Sequence, residues 1–118
     1  MSLELPPVAA AFIRSVNERD PAAFRALFAP DAVVRDAGHE HAGFAAIQEW
    51  SDRDIYAANV TLEPVALSAN DGATVVTTKV DGDFDRTGLP DPLYIDQSLV
   101  IVANRIANLT CTLSKAPL

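Results

Sequence analysis

Asp36 and Asp96 are the residues best suited to chemistry, because each carboxyl group stands in a segment of otherwise largely apolar residues. Asp36 ends the alternating segment DAVVRD. In a strand, alternation places Asp36 on the same face as Ala32 and Val34, so its carboxyl group would point into an apolar cavity. Such surroundings favour the neutral acid and suit it to proton transfer. The pattern makes Asp36 a candidate for proton transfer; the alternative is an aspartate that ends its strand and caps the following loop.

Asp96 lies in the middle of the apolar run LYIDQSLVIV. A buried carboxyl group has to be neutral or hydrogen-bonded to a partner. Two placements satisfy this requirement. Either Asp96 faces the cavity and acts there with Asp36, or it faces a subunit interface and bonds to Gln97, Ser98 or Arg105. Only the first placement would give Asp96 a catalytic role, and at this point both placements remain open.

His39 and His41 form, with Asp36 and Glu40, the string D-x-x-H-E-H. A zinc site takes four ligands, mostly Cys and His, and the chain has only these two histidines and one cysteine. We therefore predict no metal site. His39 is instead expected at the mouth of the pocket as a ligand-binding acid or base, and the alternative is a solvated loop.

The elements that must position these residues begin with helices. Apolar residues recur at helical spacing over residues 5–18, and Asp20-Pro21 supplies the N-cap and first turn of a short second helix that Pro30 ends. Residues 31–36 alternate as a strand, residues 37–41 are predicted to be a loop, and residues 43–56 return to the helical period.

Long strands follow, over residues 60–67, 73–84, 93–103 and 106–113. The inward phase slips by one residue near Glu63-Pro64, which predicts a bulge that bends the sheet. The chain is therefore predicted to be α+β, with three N-terminal helices packed on a bent, mostly antiparallel sheet that forms a cone with an internal pocket. Residues 93–103 are apolar on both faces, so we expect the outer face of the sheet to form a homodimer interface.

Length, composition and charge restrict the number of domains and the kinds of partner that the chain can bind. The chain has 118 residues, so we expect a single domain over residues 1–118. Its net charge of −7 would repel nucleic acids and anionic membranes. It shows no signal-peptide pattern, apolar membrane span or glycine-rich phosphate loop, so we expect a cytoplasmic protein without a cofactor.

Four segments together resemble the nuclear transport factor 2-like superfamily, in particular its ketosteroid isomerase-like and SnoaL-like branches. The segments are FIRSVNERD (12–20), FRALFAPDAVVRD (24–36), GFAAIQEW (43–50) and YIDQSLVI (94–101). They follow one another in the order and spacing of that superfamily. The resemblance implies the same cone-shaped fold with an internal pocket.

The resemblance also implies roles for single residues. Asp36 matches the general base of the isomerase branch, and Asp96 matches its neutral acid that donates a hydrogen bond to the developing negative charge. Phe12 and Ser51 stand where those isomerases carry tyrosines, so Tyr94 or Tyr56 would have to supply a replacement hydroxyl. The residues expected to contact the ligand are Phe12, Val34, His39, Trp50 and Tyr94.

Three functions remain open from the sequence. The first is a cofactor-independent isomerase, cyclase or dehydratase that acts on a small apolar carbonyl compound with Asp36 as the base. The second is a non-catalytic binder of an apolar ligand. The third is a dimerisation domain whose cavity is filled by its own side chains.

Overall fold

The computed structural model describes residues 4–85 and 87–114. Within these residues the chain forms three α-helices, one π-helical turn and six strands. The helices are α1 (Pro7–Asn17), α2 (Pro21–Ala26) and α3 (Gly43–Ser51), which continues into the π-helical turn Asp52–Tyr56. The strands are β1 (Phe28–Asp36), β2 (His39–Ala42), β3 (Thr61–Asn70), β4 (Ala73–Asp81), β5 (Leu93–Val102) and β6 (Arg105–Leu113).

The helices form where the sequence pattern predicts them. In α1 the buried side chains, Ala9, Phe12, Ile13 and Val16 among them, form one stripe at helical spacing. The side chain of Asp20 caps α2 by accepting a hydrogen bond from the backbone N–H of Ala23 at 3.1 Å. No helix among the described residues is long and apolar enough to cross a membrane.

The six strands of the described chain form one sheet in the order β2-β1-β6-β5-β4-β3. Strands β1 and β6 are parallel, and all other neighbours are antiparallel. Helix α1 packs against β3 and helix α3 packs against β1. This confirms the predicted α+β fold, with three helices on a mostly antiparallel sheet.

The strand pairing is irregular at three places, one in the pairing of β1 with β6 and two in the part of the sheet formed by β3 to β6. The register between β3 and β4 shifts between Pro64 and Ala66, which confirms the slip predicted near Glu63-Pro64. A second shift, between Val100 and Ile101, interrupts the pairing of β5 with β6. A bulge adds a residue to one strand and increases the local twist, so the sheet curves around the helices.

Two local predictions are wrong. Strand β1 begins at Phe28, so Pro30 lies inside a strand instead of ending a helix. Residues 37–41, predicted to be a loop, contain a tight turn at Ala37-Gly38 and then β2. Both turn residues have positive φ, 52° and 81°, which is the geometry of a two-residue hairpin turn, so the chain pairs back immediately with β1.

Candidate functional site

A cavity of about 370 Å³ lies between the helices and the concave face of the sheet. Its volume falls at the small end of the range for small-molecule sites. Its walls are mostly apolar, so it would hold an apolar molecule of one or two rings. Representative wall residues are Phe12, Val16 and Trp50 from the helices and Leu62, Val80 and Leu93 from the sheet.

Asp36 brings a carboxylate into this apolar wall. It is the last residue of β1, it is half-buried, and it lines the cavity on the side predicted from strand alternation. Its Oδ2 accepts a hydrogen bond from Nε1 of Trp50 at 3.0 Å. The N–H of Trp50 therefore holds the carboxylate in one orientation at the edge of the cavity.

Trp50 is itself firmly positioned. Its side chain is only 3% exposed, and its ring packs near those of Phe24 and His41, with centroid distances of 6.3 Å and 6.0 Å. Because an indole can only donate through Nε1, burial of Trp50 requires an acceptor at that position. Asp36 is that acceptor.

Gln97 and Cys111 form a polar row with Asp36 across three neighbouring strands. Asp36 is paired with Cys111 in the β1–β6 register, and Cys111 is paired with Gln97 in the β5–β6 register. All three residues line the cavity. The Sγ of Cys111 donates to Oε1 of Gln97 at 3.2 Å. Burial, together with the nearby Asp36 carboxylate, raises the pKa of the Cys111 thiol, so it stays protonated and able to donate.

Asp96 does not share this cavity. It lies on the opposite face of β5, where its Oδ1 accepts a hydrogen bond from Oγ1 of Thr77 at 2.6 Å. The prediction that Asp96 acts in the cavity beside Asp36 is therefore wrong. Since successive residues of a strand point to opposite faces, the residue that faces the cavity is its neighbour Gln97.

The predicted ligand contacts divide into two groups. Phe12 and Trp50 line the cavity. Val34 has the predicted inward orientation but is fully buried in the core away from the cavity surface. His39 is exposed on β2, and Tyr94 lies on the outer face of β5, so neither lines the cavity. The predictions for these three residues are corrected: Val34 faces inward but is covered by other core residues, His39 lies on an edge strand instead of a loop at the pocket mouth, and Tyr94 faces outward.

No tyrosine among the described residues supplies the hydroxyl expected near the ligand. The hydroxyl of Tyr56 donates to the carbonyl of Ser15 at 3.1 Å, and burial, with a smaller contribution from Asp20, raises the pKa of Tyr56 to about 12. Ser51 donates instead to the carbonyl of Gln48 at 3.0 Å. The cavity therefore has a different set of donors from the one that the resemblance implies.

His41 is half-buried and packs against Trp50, whereas His39 is exposed. In residues 4–85 and 87–114, no three His, Cys, Asp or Glu side chains come together in an arrangement that could hold a metal ion.

The hairpin loop after β4 contributes Phe84 and Leu89 to the cavity wall.

Sequence reasoning missed Gln97 and Cys111 as site residues. The sequence groups Gln97 with Leu93 and Leu99 in one strand phase, but only the structure shows that this phase faces inward. Cys111 had no sequence signal, since its importance depends on the pairing of β6 with both β1 and β5.

Comparison with known proteins identifies the kind of domain. The model of the SnoaL-like domain matches residues 9–103. A candidate polyketide cyclase from Sinorhizobium meliloti superposes with a TM-score of 0.81 at 31% identity, covering 92% of this chain and 95% of that chain. No curated protein matches this chain.

Two more distant structures show the same fold. A candidate ketosteroid isomerase from Kribbella flavida has a TM-score of 0.73 at 18% identity, covering 94% of this chain and 78% of that chain. A protein with a ketosteroid isomerase-like fold from Catenulispora acidiphila, in complex with trimethylamine, has a TM-score of 0.76 at 20% identity, covering 92% and 86%. The second of these holds a small molecule.

Proposed function

Because this chain belongs to the SnoaL-like family of the nuclear transport factor 2-like superfamily, we propose that its cavity binds a small, uncharged, mostly apolar carbonyl compound. Asp36 acts on this compound as a general base, in a reaction of the isomerase, cyclase or dehydratase class that needs no cofactor. The observation that carries the proposal is the Asp36 carboxylate, half-buried in an apolar cavity and oriented by Trp50. Family membership also confirms the resemblance seen in the four sequence segments.

The hydrogen bonding of Asp36 supports a role in proton transfer. Trp50 binds Oδ2, whereas Oδ1 has no hydrogen-bond partner within the described part of the chain. A fixed carboxylate with one free oxygen is arranged to take a proton from a bound molecule and return it at another position. The related candidate cyclase from Sinorhizobium meliloti is consistent with such a reaction.

The charges around the cavity support an uncharged substrate. Among the described residues that line it, the ionisable carboxylates are Asp36 and Asp54, and none is Lys, Arg or His. The Oδ1 of Asp54 is paired with Nε of Arg53 at 3.2 Å, which leaves Asp36 as the unpaired charge. A carboxylate or phosphate ligand would meet repulsion without a compensating cation.

A non-catalytic binder is the second candidate, favoured by the outward position of Asp96 and by Phe12 in the place of a tyrosine. Both observations remove donors that would stabilise a developing negative charge. The third alternative, a dimerisation domain with a filled cavity, is disfavoured by the open volume of about 370 Å³.

Deuterium exchange tests the proposal directly. We expect the protein to accelerate exchange in D2O at the carbon beside the carbonyl of 1-indanone or 2-tetralone, measured by proton NMR. Trp50→Phe should slow this exchange by about 10- to 100-fold, because phenylalanine keeps an aromatic ring but has no N–H to hold the carboxylate. Binding of 1-indanone should change by less than about threefold. Tight ketone binding without any exchange would favour the non-catalytic binder.

We also propose a homodimer formed through the outer face of the sheet. The helices α1 and α3 pack on the inner face, and the outer side chains Val75, Tyr94 and Val100 are half-buried. Light scattering at micromolar concentration should give twice the chain mass, and Val100→Glu should shift it towards the monomer. Ala22→Glu, at an exposed position on α2, is the matched control. A monomeric wild type would contradict the dimer without affecting the cavity.

A further inference from the structure

Gln97 is a polar side chain of the cavity that the proposed reaction does not use. It is only 5% exposed, and it reaches the apolar cavity from β5. Burial of an amide costs free energy unless its oxygen and its N–H groups find partners. The partners of Gln97 therefore determine which of its groups remain for a ligand.

The neighbouring hydrogen bonds define the orientation of the amide. The hydroxyl of Thr78 donates to the carbonyl of Ile95 at 2.9 Å, so towards Gln97 it can only accept. It accepts from Nε2 of Gln97 at 3.4 Å. On the other side, the protonated thiol of Cys111 donates to Oε1 at 3.2 Å. Thr78 thus requires the nitrogen to lie on its side, and the thiol of Cys111 supplies a donor to the oxygen on the other side.

This arrangement leaves donor capacity on one group. The Oε1 atom accepts from the thiol, and Nε2 carries two hydrogens but has one long hydrogen bond among the described residues, so an N–H remains for a ligand. The amide is therefore a donor in a cavity whose other fixed group, the Asp36 carboxylate, is an acceptor.

We propose that Nε2 of Gln97 donates a hydrogen bond to the carbonyl oxygen of the ligand, and that Cys111 is the positioning residue that holds the amide in this orientation. The inference rests on the proposed function, because it concerns the same cavity and ligand class. It assigns to Gln97 the donor role that Asp96 cannot fill from the opposite face.

The strand register gives the size of the ligand. Asp36, Cys111 and Gln97 occupy paired positions on β1, β6 and β5. Neighbouring strands lie about 4.8 Å apart, so the backbones at Asp36 and Gln97 are separated by about 10 Å. A carbonyl compound that contacts both Gln97 and Asp36 therefore has to bridge about two strand spacings.

A matched ligand pair tests the hydrogen bond without any need for turnover. 1-Indanone and indane have the same shape and differ in the carbonyl oxygen, so the ratio of their Kd values reports the interaction of that oxygen. In Gln97→Leu we expect the affinity for 1-indanone to fall about tenfold relative to the affinity for indane, which is the effect of losing one buried hydrogen bond. The measurement is NMR titration of the full chain.

The role of Cys111 is tested by rescue. Cys111→Ala removes the donor to Oε1 and should shift the ratio several-fold in the same direction as Gln97→Leu. Cys111→Ser keeps a hydroxyl donor and should restore most of the wild-type ratio. A purely structural effect of Cys111 would change the two Kd values together and leave their ratio unaltered.

The outcomes separate this inference from the proposed reaction. If both compounds bind and Gln97→Leu leaves their ratio unchanged, the role of Gln97 is wrong, whereas the role of Asp36 stands. If the ratio responds but no ketone exchanges deuterium, the catalytic proposal fails and the binding inference stands. If neither compound binds the wild type, both are overturned. Should Gln97→Leu fail to fold, the shift of the Gln97 side-chain NH2 signals with 1-indanone but not with indane decides the same question in the wild type.

Discussion

Asp36→Asn is expected to reduce deuterium exchange into bound ketones by about 10³-fold, within the range that a positioned acid or base contributes. This corresponds to about 4 kcal/mol of transition-state stabilisation. The amide oxygen of asparagine can still accept the hydrogen bond from Trp50, so the geometry is kept, but the amide cannot take a proton. The Kd of 1-indanone should therefore change by less than about threefold, while the exchange rate measured by NMR falls.

Asp96→Asn is the matched control for this substitution. Asp96 is also a half-buried aspartate on a strand, but it lies on the outer face and is bonded to Thr77. Asparagine keeps an oxygen acceptor for Thr77, so exchange should remain within about twofold of wild type. Equal losses in Asp36→Asn and Asp96→Asn would show that the effect is not specific to the cavity and would contradict Asp36 as the base.

Phe24→Ala is expected to lower the free energy of unfolding by about 3–5 kcal/mol. The side chain is only 1% exposed and lies at the centre of an aromatic cluster behind the cavity. Its removal would leave a void that the surrounding rings cannot fill without moving. Its ring centroid lies 5.0–6.3 Å from those of Phe12, Phe28, Trp50 and Tyr56.

Urea unfolding followed by circular dichroism measures this loss. Small domains have only about 5–15 kcal/mol of total stability, so Phe24→Ala should bring the chain close to unfolding. Phe44→Ala provides the control, since Phe44 is 38% exposed on α3 and should lose less than about 1 kcal/mol. A similar loss in both variants would mean that the aromatic cluster is not the core of the helical layer.

The sequence alone was sufficient for the elements whose pattern is local. Helical spacing identified α1 and α3, and Asp20-Pro21 identified the start of α2. Alternation placed Asp36 on the inner face of β1, because Ala32 and Val34 beside it can only be buried. The phase slip near Pro64 located the bulge in β3. Each of these signals depends on residues that are close together in the sequence.

The inner face of β5 could be decided only by the tertiary structure. Both faces of this strand carry apolar residues, so alternation left two equal solutions for Asp96 and Gln97. In the structure Leu93 and Leu99 pack into the core, so Gln97 faces inward and Asp96 faces outward. The cavity therefore contains the amide of Gln97 where the sequence analysis predicted the carboxyl group of Asp96.

The polar row of the cavity also depends on contacts between distant parts of the chain. Asp36 and Cys111 become neighbours because β1 pairs in parallel with β6, and Gln97 joins them through the antiparallel pairing of β5 with β6. Residue types and local periodicity predicted the three helices and every strand except β2, and hence the fold class. The side chains that meet in the cavity were determined by strand register, which is a property of backbone hydrogen bonds between segments far apart in sequence and leaves no pattern within any one of them.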